Sequence, residues 1–284
     1  MIQNIENSLG EVLGTSVSIE DINYQPFDKI LIQGLSLKDK ANEDLLFIDV
    51  AECDFGIMPL FYGELVFDYL KISNTTFNIK KEESGTNLDF IFSRFRSDGS
   101  KKTRFRRIII ENCSLNFSDE KKKQMLKKGV FNPNDISIGE INSEINIDIL
   151  TKKSFEGKIN YLNFKELHSN FIFEQLKTNV KLNDSLLFVS ELLLQTQHSK
   201  IEFDTMVTTF PSLDELKKLS DDVTFNIKLR PSYVEMSDFG GFYPMLKKLS
   251  DRLSIDGEIE GNPNHLVCPN LLIDYGKDIH FDGD

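Results

Sequence analysis

The sequence predicts a mainly β protein, a long curled antiparallel sheet with a few short helices, on three observations. First, apolar and polar residues alternate with a period of two over long runs. Ile141, Ile145, Ile147 and Ile149 are apolar, Ser143 alone interrupts them, and Asn142, Glu144, Asn146 and Asp148 between them are polar. Successive strand residues point to opposite faces, so one face seeks water and the other avoids it. Second, helical patterns are few and follow groups of strands, which argues against a parallel sheet built with crossover helices. Third, periodicity marks roughly fifteen strands, whereas twisted open sheets rarely exceed about ten without curling or splitting. The sheet is expected to curl over its apolar face, as a sandwich, a barrel or an open trough.

Taken in order, Ile2, Ile5, Leu9, Val12 and Leu13 share one helical face and Gly14 stands where a helix would stop, so a short amphipathic helix opens the chain. Strand-like runs follow over 16–24, 29–37 and 45–57; in the last, Ala51, Cys53, Phe55 and Ile57 alternate with Glu52, Asp54 and Gly56. Runs over 65–72 and 75–81 flank the turn-prone Ser73-Asn74 and read as a hairpin. Leu88, Ile91, Phe92 and Phe95 have helical spacing after Thr86-Asn87, predicting a short helix. A basic loop over 97–102 leads into strands at 105–110 and 114–117, then a short basic helix around 119–128.

Ile136 and Ile138 are apolar at even positions, whereas the run from Ile141 to Ile149 is apolar at odd ones. The phase slips at Gly139-Glu140, which reads as a β-bulge or as a turn between two short strands. Strand character continues over 155–164, 170–182, 186–196 and 200–208, where Ile201, Phe203 and Val207 oppose Glu202 and Asp204. A helix is expected over 211–219 with proline near its start. Val223, Phe225, Ile227 and Leu229 then alternate with Thr224, Asn226, Lys228 and Arg230. A short helix over 237–249 is limited by Pro244, and strands over 253–260 and 266–273 close the pattern. No low-complexity linker divides the chain, which reads as one continuous β-rich body over 1–284.

The net charge of −12 argues against a nucleic-acid partner, since neutralising phosphates needs the opposite balance. Charge is unevenly placed: Arg94 to Lys128 holds twelve basic residues against four acidic ones, a solvated loop and helix face or a dock for anionic headgroups or an acidic partner. Cys53, Cys113 and Cys268 have neither CxxC nor metal spacing and read as small apolar residues. His168, His198, His265 and His280 show no metal-ligand spacing and no recurrent carboxylate partner, which gives them surface or capping roles. No nucleophile-elbow, zinc-protease, phosphate-loop or dinucleotide motif occurs, so neither an enzyme nor a cofactor is expected. No run approaches the roughly 20 apolar residues of a membrane span, and residues 1–15 lack a basic start and an apolar signal core. The chain is then cytosolic, or a piece separated from its targeting segment.

Several segments, in order, resemble the TamB-like translocation and assembly module branch of the AsmA-like proteins. They are Leu13 to Ile19, Ile30 to Asp39, Leu45 to Asp49, Ile72 to Lys81, Thr86 to Ile91, Leu192 to Asp204, Met236 to Leu246 and Leu253 to Gly261. The resemblance implies a Gram-negative-type envelope protein, periplasmic and held by an N-terminal helix in the inner membrane. It also implies an Omp85-class outer-membrane partner. This chain would be an N-terminal fragment lacking both the anchor helix and the C-terminal domain. Members of the wider superfamily curl antiparallel strands into a β-taco, a hydrophobic groove that carries lipid tails. The expected function is therefore a non-enzymatic conduit segment for phospholipid acyl chains between the two membranes. The alternative is a scaffold for outer-membrane β-barrel assembly. Expected to line the groove are Ala51, Cys53, Phe55, Ile141, Ile145, Ile147, Ile149, Phe203, Val223, Phe225, Ile227 and Leu229.

Overall fold

The computed structural model describes residues 2–25, 29–55, 65–83, 85–91, 103–119, 121–122, 128–151, 154–249, 251–277 and 279–283. They form a mainly β protein whose described strands belong to one sheet that does not close into a barrel. Two compact units divide the chain: one holds the described residues up to Glu144 with Phe164–Asn170, the other Ile145–Asn163 with those from Phe171 onward.

The first unit opens with α1 (Ile2–Leu13), closed by a Gly14 N–H donated to the Gly10 carbonyl at 2.7 Å. The Glu6 carboxylate accepts the Ile19 N–H at 2.8 Å and ties the helix to the chain that follows. Instead of one strand over 16–24 there are two short ones, β1 (Val17–Ser18) and β2 (Asp21–Gln25), both paired with β3 (Lys29–Lys38). Next come β4 (Asp44–Phe55), β5 (Leu65–Lys80) and β6 (Thr103–Ser118), and the unit shares β7 (Asp135–Leu150) and β8 (Phe155–Glu166) with the second.

Two expectations are corrected in this unit. The hairpin at Ser73-Asn74 is a single 16-residue strand, because Asn74 adopts φ +51° within β5 and the strand runs on past it in unbroken register with its neighbours. The sheet is also not wholly antiparallel, since β5 and β6 run parallel. The chain between them must return to the starting end of β5, which the 22 residues from Lys81 to Lys102 are long enough to do. Of the helix predicted there, Asp89–Ile91 are helical, started by Asp89 accepting the Thr86 N–H and hydroxyl at 3.0 Å; Phe92 and Phe95 lie outside the described residues. Most of the basic helix at 119–128 lies outside them too.

The second unit continues with β9 (Ile172–Leu182), β10 (Leu186–Thr196) and β11 (Lys200–Thr209), each antiparallel to its neighbour. The expected helix after Pro211 is α2 (Leu213–Lys218), capped by Ser212 accepting the Glu215 N–H. After β12 (Thr224–Glu235) the single helix expected over 237–249 is two 3-10 turns, Met236–Gly241 and Pro244–Lys248. Gly240-Gly241 weaken a helix there and Pro244 lacks the N–H to carry it on. β13 (Arg252–Asn262) pairs with β14 (His265–Val267) and β15 (Leu272–Tyr275), which replace the one strand expected over 266–273. β16 (Ile279–Asp282), not foreseen, pairs with β15 and ends the strand order.

Candidate functional site

The register turns the sequence alternation into rows of apolar side chains. In the first unit, Ile30, Cys53, Leu70 and Ile108 are successive cross-strand partners, as are Ile32, Ala51, Ile72 and Ile110. Further along the strands the rows are Leu35–Ile48–Thr75 and Leu37–Leu46–Phe77–Leu115. Between the two sets, apolar positions change from even to odd in β3, β5, β6 and β7. A left-handed residue marks the change in each: Gly34 (φ +61°), Asn74 (+51°), Asn112 (+50°) and Glu140 (+54°). The register across β3, β4, β5 and β6 runs through the change unbroken, so these strands return the next apolar side chain to the same face together. Asparagine tolerates this conformation, and two of these amides bond along the seam: Asn112 Nδ2 donates to Asn74 Oδ1 at 2.8 Å and Asn74 Nδ2 to Asp49 Oδ2 at 2.9 Å.

The opposite face of this unit is polar. Lys71 pairs with Glu111 at 2.9 Å and Arg107 with Glu144 at 3.2 Å. Asn116 donates to Asn78 at 3.0 Å and accepts the Ser137 hydroxyl at 2.9 Å, lining an open cleft of about 490 Å³ with Lys80, Asp135 and His168.

The second unit repeats the scheme. Val180, Val189, Met206, Ile227 and Ile259 are successive partners across β9 to β13, and Leu192, Phe203 and Leu229 form a shorter row. Ile255–Ile273–Phe281 and Leu253–Tyr275–Ile279 carry the apolar face to β16. Asn160 Nδ2 donates to Asn146 Oδ1 at 2.7 Å, which marks the polar side of β7 and places Ile145, Ile147 and Ile149 on the other.

These faces are only partly covered. With 40% hydrophobic residues in the chain, the fully buried ones among the described residues are Ile19, Leu37, Leu45, Cys113, Val189, Phe210, Val223 and Leu271. The candidates fall accordingly. Ala51, Cys53, Ile141, Ile145, Ile147, Ile149, Phe203, Phe225, Ile227 and Leu229 are half-buried. Val223 is wholly enclosed at 0% exposure and presents no surface. The Phe55 side chain lies outside the described part. Ala51 and Cys53 lie in the first unit's rows, Phe203, Ile227 and Leu229 in the second's; Phe225 pairs with Thr208 and Gly261. Sequence reading missed Ile32, Ile72, Ile110, Val189, Ile259 and Ile273, whose parity was visible but whose common face needed the register.

Burial and the neighbouring Asp54 push the Cys53 thiol up, away from the reactive thiolate. Three histidines, contrary to the sequence reading, do lie beside carboxylates: His168 by Glu166 at 3.5 Å, His198 by Asp238 at 2.7 Å, and His280 by Asp274. Asp238, 4% exposed, accepts the hydroxyls of Thr196 and Ser199 and the His198 N–H. Burial opposes its charge, but these bonds outweigh that and hold its carboxyl below the usual range. Asp39 is held low in the same way against burial, by the Glu43 N–H, the Asn87 amide and the Ala41 N–H. Both carboxylates close strand-end turns and are consumed in doing so. Among the described residues there is no cluster of histidine, cysteine and acidic side chains fit to hold a metal, and no helix long and apolar enough to cross a membrane.

No protein-family model matches this sequence, and no curated protein matches it.

Proposed function

We propose that this chain is a non-enzymatic lipid-binding segment in which the apolar sheet faces lie against phospholipid acyl chains. The observation that carries the reading is the half-buried state of the long register rows, such as Ile32–Ala51–Ile72–Ile110 and Val189–Met206–Ile227–Ile259, in which Val189 alone is fully buried. Covering a half-exposed aliphatic side chain is worth up to about 1.5 kcal/mol, and a continuous row sums that gain along one acyl chain. The polar face opposite, with its ion pairs and amide rows, needs no cover. The resemblance to TamB-like proteins supports placing this activity in the periplasm between inner and outer membranes, with an Omp85-class partner. The same resemblance supports a second reading, a scaffold that offers sheet edges to unfolded barrel strands.

Native mass spectrometry of the gently purified chain, with extraction and identification of lipid from the same sample, tests the proposal. Phospholipid in reproducible stoichiometry is expected. It should be lost in Ile147→Asp and Ile227→Asp variants whose circular dichroism is unchanged. A well-folded, lipid-free protein defeats the lipid reading and leaves the scaffold.

A further inference from the structure

The two 3-10 turns between β12 and β13 present large apolar side chains to water. Tyr243 is 69% exposed, Leu249 41%, and Met245, at 83%, is the most exposed large apolar side chain among the described residues. A single apolar residue on a surface is ordinary. This group differs from that in how it is held and in what stands beside it.

The turns are fixed from beneath. Asp238 pins their start to the β10–β11 turn by accepting the hydroxyls of Thr196 and Ser199 and the His198 N–H. Phe239 and Phe242 pack on Phe171, with ring centroids 6.1 and 5.0 Å away. The Phe242 and Tyr243 N–H groups both donate to the Phe239 carbonyl, at 3.0 and 2.9 Å, and the Leu246 N–H donates to the Tyr243 carbonyl at 2.9 Å. Gly240 leaves room for the Lys247 stem, which would meet any Cβ placed there. A segment tied down in this way keeps its outer side chains presented and does not fold them back onto the protein.

Charge is the second feature. From Phe239 to Leu249 the segment carries Lys247 and Lys248 and no acid, on a chain whose net charge is −12. Both lysines are exposed, and Lys248 has no acidic partner among the described residues. Lysine is depleted from the core of protein–protein interfaces. Aromatic and aliphatic side chains with lysines alongside are instead the composition that settles at a lipid headgroup boundary.

We infer that these turns anchor the chain to the surface of a bilayer that contains anionic lipid. Tyr243, Met245 and Leu249 enter the boundary between headgroups and acyl chains, and Lys247 and Lys248 reach the phosphates with their stems along the apolar surface. The contact lies off the sheet faces and does not depend on the acyl-chain reading of the rows.

Tyr243→Trp supplies the only tryptophan in the chain and keeps an interfacial side chain at that position. Its emission should shift to the blue, and the protein should float, with vesicles of phosphatidylcholine containing about one third phosphatidylglycerol. In that background Met245→Asp, at a highly exposed position where circular dichroism should be unchanged, is expected to lower the partition coefficient at least about tenfold. Lys248→Glu should lower it about tenfold on the anionic vesicles and much less on phosphatidylcholine alone. Absence of both shift and flotation overturns the inference. Binding that either substitution leaves undiminished also overturns it and assigns the vesicle contact to the sheet rows. A blue shift that grows with protein concentration without vesicles overturns it in favour of a protein contact. Lipid extracted with the chain is measured separately, so this inference and the reading of the rows can fail independently.

Discussion

The strand-end turns and the apolar faces of this protein are made on opposite terms. At the turns, Asp39 and Asp238 are enclosed with several donors each, and Asn87, 2% exposed, donates to Asp39 and accepts the Lys80 N–H. On the faces, long rows of isoleucine, leucine and valine are aligned across four or five strands and left half open. The difference teaches that the described turns enclose their polar groups fully while the apolar rows keep part of their surface in water, so strand pairing and satisfied turns carry a large share of the stability.

If that is right, the largest loss of stability comes from a turn. Asp238→Ala strands the hydroxyls of Thr196 and Ser199 and the His198 N–H, and should destabilise the second unit by about 3 kcal/mol in urea unfolding. A loss below 1 kcal/mol would remove the turns from the account. Because its folded carboxyl is held low, Asp238 contributes stability above the unfolded value near 3.8, and that contribution is lost as pH falls through the lower folded value. Asp39 has the same sign, so the wild type should lose stability below about pH 4, and Asp238→Ala should lose less over that step.

Next in size is a paired truncation within β12 and its approach. Val223→Ala opens a cavity in an enclosed site and should lose about 2 kcal/mol, whereas Ile227→Ala on the half-open face should lose about 1 despite deleting more carbon. Equal losses would mean that Ile227 is covered after all. Smaller still, Asn112→Val forces a β-branched residue to φ +50° and removes the amide bond to Asn74, for about 1 kcal/mol plus broadened amide signals along the seam of left-handed residues.

Much of this architecture was legible in the sequence, and the misses have common causes. Alternation showed the strands, and the parity change at Gly139-Glu140, read as a bulge or a turn, marked the left-handed Glu140 within a continuous β7 because isoleucines stand close on both sides of it. The parity change in β5 was read as a turn, since Ser73-Asn74 suits a reversal as well as a left-handed residue within a strand. Only the register with β4 and β6 decides between them. Parity showed which residues share a face within a strand, but whether a face is covered depends on contacts distant in sequence. Val223 thus belongs to the same alternating run as Phe225, Ile227 and Leu229 and yet is fully enclosed. The carboxylate partners of His198 and His280 were invisible for the same reason, lying 40 and 6 residues away across a turn or strand pair.

Those two histidines supply the smallest test. His198 meets an enclosed Asp238 that also holds two hydroxyls, whereas His280 and Asp274 face each other on exposed neighbouring strands. The hydrogen bond that the His280 ring donates to the Asp274 carboxylate, and then that carboxylate's charge, hold the imidazole above its ordinary value of 6.5. A raised value means that the pairing favours the folded β15–β16 ladder fully below 6.5 and ceases to favour it as pH rises through the folded value. Exposure and salt screening keep the effect slight, so global unfolding should not register it. It should appear in the NMR titration of the His280 ring, raised in the wild type and back near 6.5 in Asp274→Asn. The Phe281 amide, placed on the β15 side by alternation from the Gly283 N–H bonded to the Leu271 carbonyl, should exchange faster above the transition in the wild type and at one rate in the variant, once intrinsic exchange is divided out. A wild-type ring that titrates at 6.5 would show that the exposed strand pair does not hold the geometry that the enclosed turn does.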